Sequence, residues 1–542
     1  MRPYTPNFIT HALSICCLCV GYGWLLSAPH VHPYLLRGVR YLIFAALAAF
    51  LFKLLAMTPR MLAHRKTKKS TGLKGTASWA TRKQVRRLST NKRKGFLAGL
   101  MDGSPVWLPI ESSGLVLSPA GGGKTVGFVI PALMSHAGSM IVADLKGTLA
   151  AITRRHRAKR HKNKIFILNP AGRFGSILGA GAKFNPLGVL KKNWDDPERQ
   201  KFLLSDAIML AKQMLPEPVK EGQNTFFRNG SRKLLVFGMI YLVVTTGGVT
   251  LSALLRLLSD LDTLADALFE ASKNTALNCD LARMANDVIG KMSEGRPEQL
   301  ESFREGALQV LEPFAPSGVL ADSTESSDFY FAMLRKTKAT VYIVCDPTQM
   351  DAFAIWLGLV MEAAKTELIR NTDGGDVTLM VDEATNFKFG SLPALLTSAR
   401  EFKLRIWVVV QELEMWAHVY GREALDTLLS QTELKIIHGS RSHKTCELVS
   451  NMLGEYSSMA TSYNTGRSVL DPVQRSTSEV GRKRLTADEV ARFDKAVVFY
   501  KNNPPMPLDV VGYHEVAPWR NQADPNPLFG KKKYKGKVRL RV

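Results

Sequence analysis

From Ser113 onward, short apolar runs alternate with amphipathic segments. The runs Gly114–Leu117, Ser139–Ala143, Lys164–Leu168, Thr340–Cys345, Val377–Val381, Ile406–Val410 and Glu433–Ile437 are mostly rich in Val and Ile and carry few charges. Strands of a parallel sheet read this way, because both of their faces are covered. Alternation with helix-period segments predicts an α/β fold. Ala496–Tyr500 and Leu508–Val511 add edge strands. Between about Leu187 and Thr324 the strand pattern stops. Gln200–Leu215, Thr225–Val244, Leu251–Ala271, Ala276–Ser293 and Leu300–Phe314 carry helical spacing instead. The stretch is too long for a set of crossover helices, so it predicts an all-α domain inserted between two strands.

A different pattern precedes this. Phe8–Leu26 holds no charged residue apart from His11, and Tyr41–Met57 is interrupted only by Lys53. Each can cross ~30 Å of hydrocarbon as a helix, the second only barely. The link from Ser27 to Arg40 carries Pro29 and Pro33 and suits a tight hairpin. A cleaved signal peptide is the rival reading of the first stretch, although its leading region carries only Arg2. A basic run follows: Arg60, Arg65, Lys66, Lys68, Lys69, Arg82, Lys83, Arg86, Arg87, Lys92, Arg93 and Lys94. The positive-inside bias places this run, and both termini, in the cytoplasm. The run suits anionic lipid and nucleic acid equally well.

Composition sharpens the picture. At 542 residues the chain exceeds one compact core, and its formal net charge is +25. Such a field attracts polyanions. Six cysteines and eleven histidines form no metal-ligand spacing, so no zinc site or disulfide framework is expected. The basic tail Lys531–Arg541 reads either as a solvated terminus or as a partner contact.

The candidate chemistry lies at strand ends. Ser118-Pro-Ala-Gly-Gly-Gly-Lys-Thr125 follows one apolar run and precedes a helix-like segment, Val126–Met134. This is the order of a phosphate-binding P-loop, with Ser118 where the full pattern has glycine. Gly121, Gly122 and Gly123 let backbone N–H groups converge on phosphate oxygens. Lys124 would reach the β- and γ-phosphates of ATP, and the Thr125 hydroxyl would ligate Mg2+. Val377–Val381 ends in Asp382 and Glu383. Asp382 would hold the Mg2+ shell, and Glu383 would orient or deprotonate the attacking water. Gln411 ends the next strand and is placed to face the γ-phosphate. Arg400, near the end of an expected helix Leu392–Lys403, is either a transition-state clamp, in this subunit or a neighbour's, or a solvated helix-end arginine. Asp144 and Lys146 close another strand, and their spacing leaves nucleotide contact and a plain ion pair open.

Taken in order, these pieces resemble the type IV secretion coupling proteins, the TraG/TraD family of conjugation ATPases. The likeness runs through Gly75-Thr-Ala-Ser-Trp79-Ala80, the P-loop, Asp144-Leu-Lys-Gly147, Phe184-Asn-Pro-Leu187, Val341-Tyr-Ile-Val344, Asp382-Glu383, Ala399-Arg400 through Gln411, and Leu485-Thr-Ala-Asp488. Gly439–Thr445 departs from it by lacking an expected acid.

The resemblance implies a RecA-like P-loop NTPase sheet with an inserted all-α domain and a two-helix transmembrane anchor in the bacterial inner membrane. It implies a homohexamer that uses ATP to pass single-stranded DNA with its relaxase, or effector proteins, to other type IV secretion components. The chain then divides into an anchor (1–58), a basic juxtamembrane linker with the start of the nucleotide domain (59–112), the first part of the RecA-like nucleotide-binding domain (113–190), the α insertion (191–325), the second part (326–520) and a basic tail (521–542). A docking receptor without motor activity and an FtsK-like DNA translocase are the alternatives.

Overall fold

The computed structural model describes residues 16–17, 19–24, 26–27, 33–65, 72–90, 95–109, 111–217, 225–293, 297–464 and 474–530. The chain forms two compact units, residues 1–77 with 454–484, and residues 78–453 with 485–542.

The larger unit is built on a nine-stranded sheet. Ahead of it, β1 (Phe96–Met101) and β2 (Ser104–Leu108) form an antiparallel hairpin, turned by Asp102 and Gly103, both at positive φ. The sheet comprises β3 (Ser113–Leu117), β4 (Ser139–Asp144), β5 (Lys164–Leu168), β6 (Ala339–Val344), β7 (Val377–Val381), β8 (Leu404–Val410), β9 (Leu434–Ile437), and, after the separate hairpin of β10 (Glu455–Asn464) and β11 (Gln474–Lys483), β12 (Ala496–Tyr500) and β13 (Met506–Leu508). Their order is β13-β12-β9-β3-β8-β7-β4-β6-β5. The seven strands from β9 to β5 are parallel, and β12 and β13 extend the sheet antiparallel.

Period-2 side-chain alternation divides the core between two faces. Leu115, Leu117, Ile141, Ala143, Val341, Ile343, Val408 and Val410 join the core shared with the helical stretch. Val116, Met140, Val142, Tyr342, Val344, Trp407 and Val409 face the opposite way. That second face is covered by β1 and β2, the helix Ile130–Ser135, the helix Thr148–Arg160 and the chain around Val511–Trp519. Covering both faces explains the uninterrupted apolar strands.

The helical stretch lies between β5 and β6, as expected. Leu251–Ala271 is two helices rather than one, Leu251–Ser259 and Leu261–Ser272. Asp260 caps the second, accepting from Thr263 N–H at 3.3 Å. Two other expectations shift. The edge strand is Met506–Leu508, earlier than Leu508–Val511, because Met506 and Leu508 are the residues that turn inward. The helix at Leu392 ends at Ser398, and Arg400 falls in the turns that close onto Leu404, with Lys403 at φ 52°.

In the smaller unit, β10 and β11 pair over their full length. Residues 72–77 lie along β10, with Ala77 N–H donating to Glu455 O at 2.9 Å and Ser457 N–H to Gly75 O at 3.0 Å. The helix Pro33–Arg65 contains, at Pro33–Phe52, the one segment among the described residues that is long and apolar enough to cross a membrane as a single straight helix. The helix begins at Pro33, so the second half of the expected link, Pro33–Arg40, is helical, while residues 28–32 lie outside the described residues. Proline needs no N–H partner in a first helical turn. Most of the first expected span lies outside the described residues, and so does the tail from Lys531.

Candidate active site

All parts of the site stand at the carboxyl edge of the parallel strands. β3 runs into Ser118, whose N–H donates to Val410 O on β8 at 3.2 Å. The loop turns through Gly121 (φ 80°) and Gly123 (φ 85°), a region that L side chains enter only at a cost. A Cβ at Gly122 would collide with Ser118 Oγ. The serine in the first loop position is thus accommodated by a glycine four residues on. The chain then enters a wide turn, with Ile130 N–H donating to Thr125 O, before the helix Ile130–Ser135. Pro131 lacks an N–H, and in a regular turn its ring would press on the carbonyl of Gly127. The widened turn avoids that clash.

β8 lies between β3 and β7, so its end is flanked by both halves of the site. Leu117 pairs with Val410, which sets Ser118 level with Gln411. Val381 pairs with Val408, and Ala384 N–H donates to Val409 O at 3.1 Å. This fixes Asp382 and Glu383 beside the loop. Glu383 takes the left-handed backbone conformation, φ 55°. Its carboxylate is buried. Oε1 lies 3.7 Å from Lys124 Nζ and 2.6 Å from Lys146 Nζ, and Oε2 accepts from Asn386 Nδ2 at 3.0 Å. The sequence left Lys146 open between nucleotide contact and an ion pair. It is an ion pair, and with the acid of the site itself.

Asp382 Oδ1 is buried with no hydrogen-bond partner. Burial, and then the adjacent Glu383, push its pKa up to about 7. A buried carboxylate oxygen left without a hydrogen-bond partner fits a hard divalent cation such as Mg2+. Asp382 and Thr125 are the residues that would hold it. Asp144 is pushed up to about 6 by burial, and accepts from Ala150 N–H at 2.7 Å. It secures the turn that carries Lys146.

His438 was not singled out from sequence. It follows β9, the other neighbour of β3, and its Nδ1 lies 2.8 Å from Gly122 O. Only the strand order brings it there. The segment after it, without the expected acid, is tied instead by Glu412, which accepts from Ser440 Oγ at 2.7 Å and Arg441 N–H at 3.0 Å. Arg400 is the one predicted residue that the fold does not bring to this edge. It precedes the first residue of β8, at the opposite end of the sheet, where its exposed guanidinium lies 3.1 Å from Glu111.

Comparison with known proteins agrees with this fold. A family model described as Type IV secretory system Conjugative DNA transfer matches residues 66–535. Protein VirD4 of Rhizobium radiobacter is 24% identical over 497 residues, covering 88% of this chain and 68% of that one. Conjugal transfer protein TraG of Escherichia coli is 22% identical over 464 residues, covering 78% and 71%. Among solved structures, the plasmid coupling protein TrwB with a non-hydrolysable ATP analogue superposes with a TM-score of 0.60 at 18% identity, over 82% of this chain and 96% of that one. TrwB with ADP and Mg2+ gives 0.58 at 17%, over 82% and 95%.

Proposed function

Because the chain belongs to the type IV secretory system conjugative DNA transfer family, we propose that it is a membrane-anchored coupling ATPase. Its cargo is single-stranded DNA with a bound relaxase, or effector proteins, delivered to other type IV secretion components at the bacterial inner membrane. The observation that carries this reading is Lys124 and Glu383 held 3.7 Å apart at adjoining strand ends, with Asp382 Oδ1 unpartnered beside them.

The residues divide the work as follows. The glycine loop offers backbone N–H groups to the phosphates, and Lys124 leaves Glu383 to meet them. Mg2+, when bound, offsets phosphate charge. Glu383 then accepts a proton from the attacking water or orients it. Gln411, level with Ser118, polarises the same region. Arg400 cannot serve its own loop from the far edge of the sheet. In a head-to-tail ring, here a homohexamer, it would serve a neighbour's.

The helix at Pro33 would supply the anchor, with the basic residues after it on the cytoplasmic side. The apolar stretch before it would make a second span. The net charge of +25 suits a polyanionic cargo, read without sequence preference.

Turnover of ATP by the full chain in detergent, with Mg2+ and with added single-stranded DNA, tests the reading. Stimulated turnover is expected. Binding without turnover would make the protein a docking receptor instead.

A further inference from the structure

We propose that Lys146 is the retained counter-ion of Glu383, the group that allows the P-loop lysine to leave for a phosphate. This deepens the nucleotide-site reading and rests on it. Two ammonium groups address one carboxylate oxygen, Lys146 at 2.6 Å and Lys124 at 3.7 Å. They differ in surroundings. The side chains of Glu383 and Lys124 are 8% and 7% exposed, whereas that of Lys146 is 53% exposed. Lys124 is therefore sealed into the site, and Lys146 reaches in from its rim.

Glu383 cannot follow Lys124. Its left-handed backbone is pinned on the following side by Ala384 N–H to Val409 O, and by Asn386 N–H returning to Glu383 O at 2.9 Å. When Lys124 turns to a phosphate, a buried carboxylate loses one of its two cations as another anion arrives. Removing the partner of a buried charge is strongly destabilising. Lys146, already the closer of the two, removes that penalty.

The turn beneath Lys146 is built for constancy. Asp144 caps the N-terminus of the next helix through Ala150 N–H, Gly147 takes φ 71°, and Arg173 Nε donates to Lys146 O at 2.8 Å. The backbone is held while the side chain spans to Glu383. Lys146 touches no reacting atom in this scheme. It is a positioning residue whose effect appears in nucleotide affinity.

Titration of the full chain in detergent with MgADP tests this, because no hydrolysis is involved. Lys146→Met should weaken MgADP binding by about tenfold or more, since Glu383 then retains Lys124. Lys146→Arg should stay within about threefold of wild type, because the charge is kept. Glu383→Gln added to Lys146→Met should restore wild-type affinity, because the competing anion is gone. A lysine needed only to hold the turn would not be rescued by a change in Glu383. Wild-type affinity in Lys146→Met, or no recovery in the double variant, would overturn the proposal. Failure of the unmodified protein to bind MgADP would overturn the nucleotide-site reading itself, which separates the two failures.

Discussion

Arg400 and Gln411 lie at opposite ends of the same strand, β8, one before its first residue and one after its last. Eleven positions apart in sequence, they cannot meet at one phosphate within a single chain. Gln411 stands at the P-loop edge of this chain, whereas Arg400 is exposed at the opposite edge beside Glu111, and we propose that it serves another copy.

Arg400→Ala should therefore leave MgADP affinity unchanged while lowering ATP turnover by about a thousandfold, the scale of a lost arginine clamp. Rings mixed from Arg400→Ala and Glu383→Gln chains should regain partial turnover, at interfaces that pair an intact arginine with an intact acid. Zero activity in the mixture, with rings still formed, would count against action between subunits.

Lys124→Ala and Glu383→Gln should separate binding from chemistry. The first removes the phosphate-binding cation and should abolish measurable nucleotide binding. The second should bind ATP at least as well as wild type and hydrolyse it at least about a hundredfold more slowly. Normal turnover in either variant would remove the residue it replaces from the mechanism.

Gly122→Ala should destroy nucleotide binding, because its new methyl group meets Ser118 Oγ. Ser118→Gly in the same chain should recover part of the affinity by clearing that collision. The reverse outcome, a tolerated Gly122→Ala, would mean that the loop opens more freely than its packing allows.

Acid should loosen the fold through two partly buried histidines. Burial holds the His136 pKa at about 3 and the His161 pKa at about 4, with the Arg157 charge acting the same way. Both lie below the ordinary value of 6.5. The unfolded chain therefore binds protons first, so the stabilisation is complete above about pH 6.5 and is lost as pH falls toward 3 to 4. His136 alone would remove on the order of 2 kcal/mol of stability between pH 7 and pH 5. Urea titrations from pH 7 to pH 5 should show a shallower loss of stability in His136→Gln than in wild type. Parallel slopes would contradict this.

The sheet was legible because its strands are buried on both faces and nearly uncharged, which leaves few other readings. The loop and acids were legible for a related reason: phosphate chemistry demands glycines, a lysine and carboxylates at strand ends. Two hairpins were not read. β10 and β11 are runs of Ser and Thr such as Ser457, Ser458, Thr461, Ser476 and Thr477, with no apolar alternation to mark them. For β1 and β2 the signal existed, since Asp102-Gly103 is a turn pair with the positive φ values that a two-residue hairpin needs. His438 and the Lys146–Glu383 pair depend on which strands are neighbours, and local patterning carries no such information. Arg400 shows the converse. Its sequence left a clamp in this subunit, a clamp in a neighbour and a solvated arginine open, and the seven residues of β8 that separate it from Gln411 rule out the first.

One packing contact bears on how the protein is made. Gly127, in the turn after the P-loop, lacks a side chain where Val510 Cγ1 stands 2.5 Å from the place of a missing Cβ. The start of the phosphate-binding helix is thus seated on a residue synthesised long after it. A growing polypeptide carries its lysine and glycines long before it can seat them. Nucleotide binding should switch on only once Val510 has been made, when the helical segment and the acids are already in place, so a chain that has not reached that point has no occasion to spend ATP.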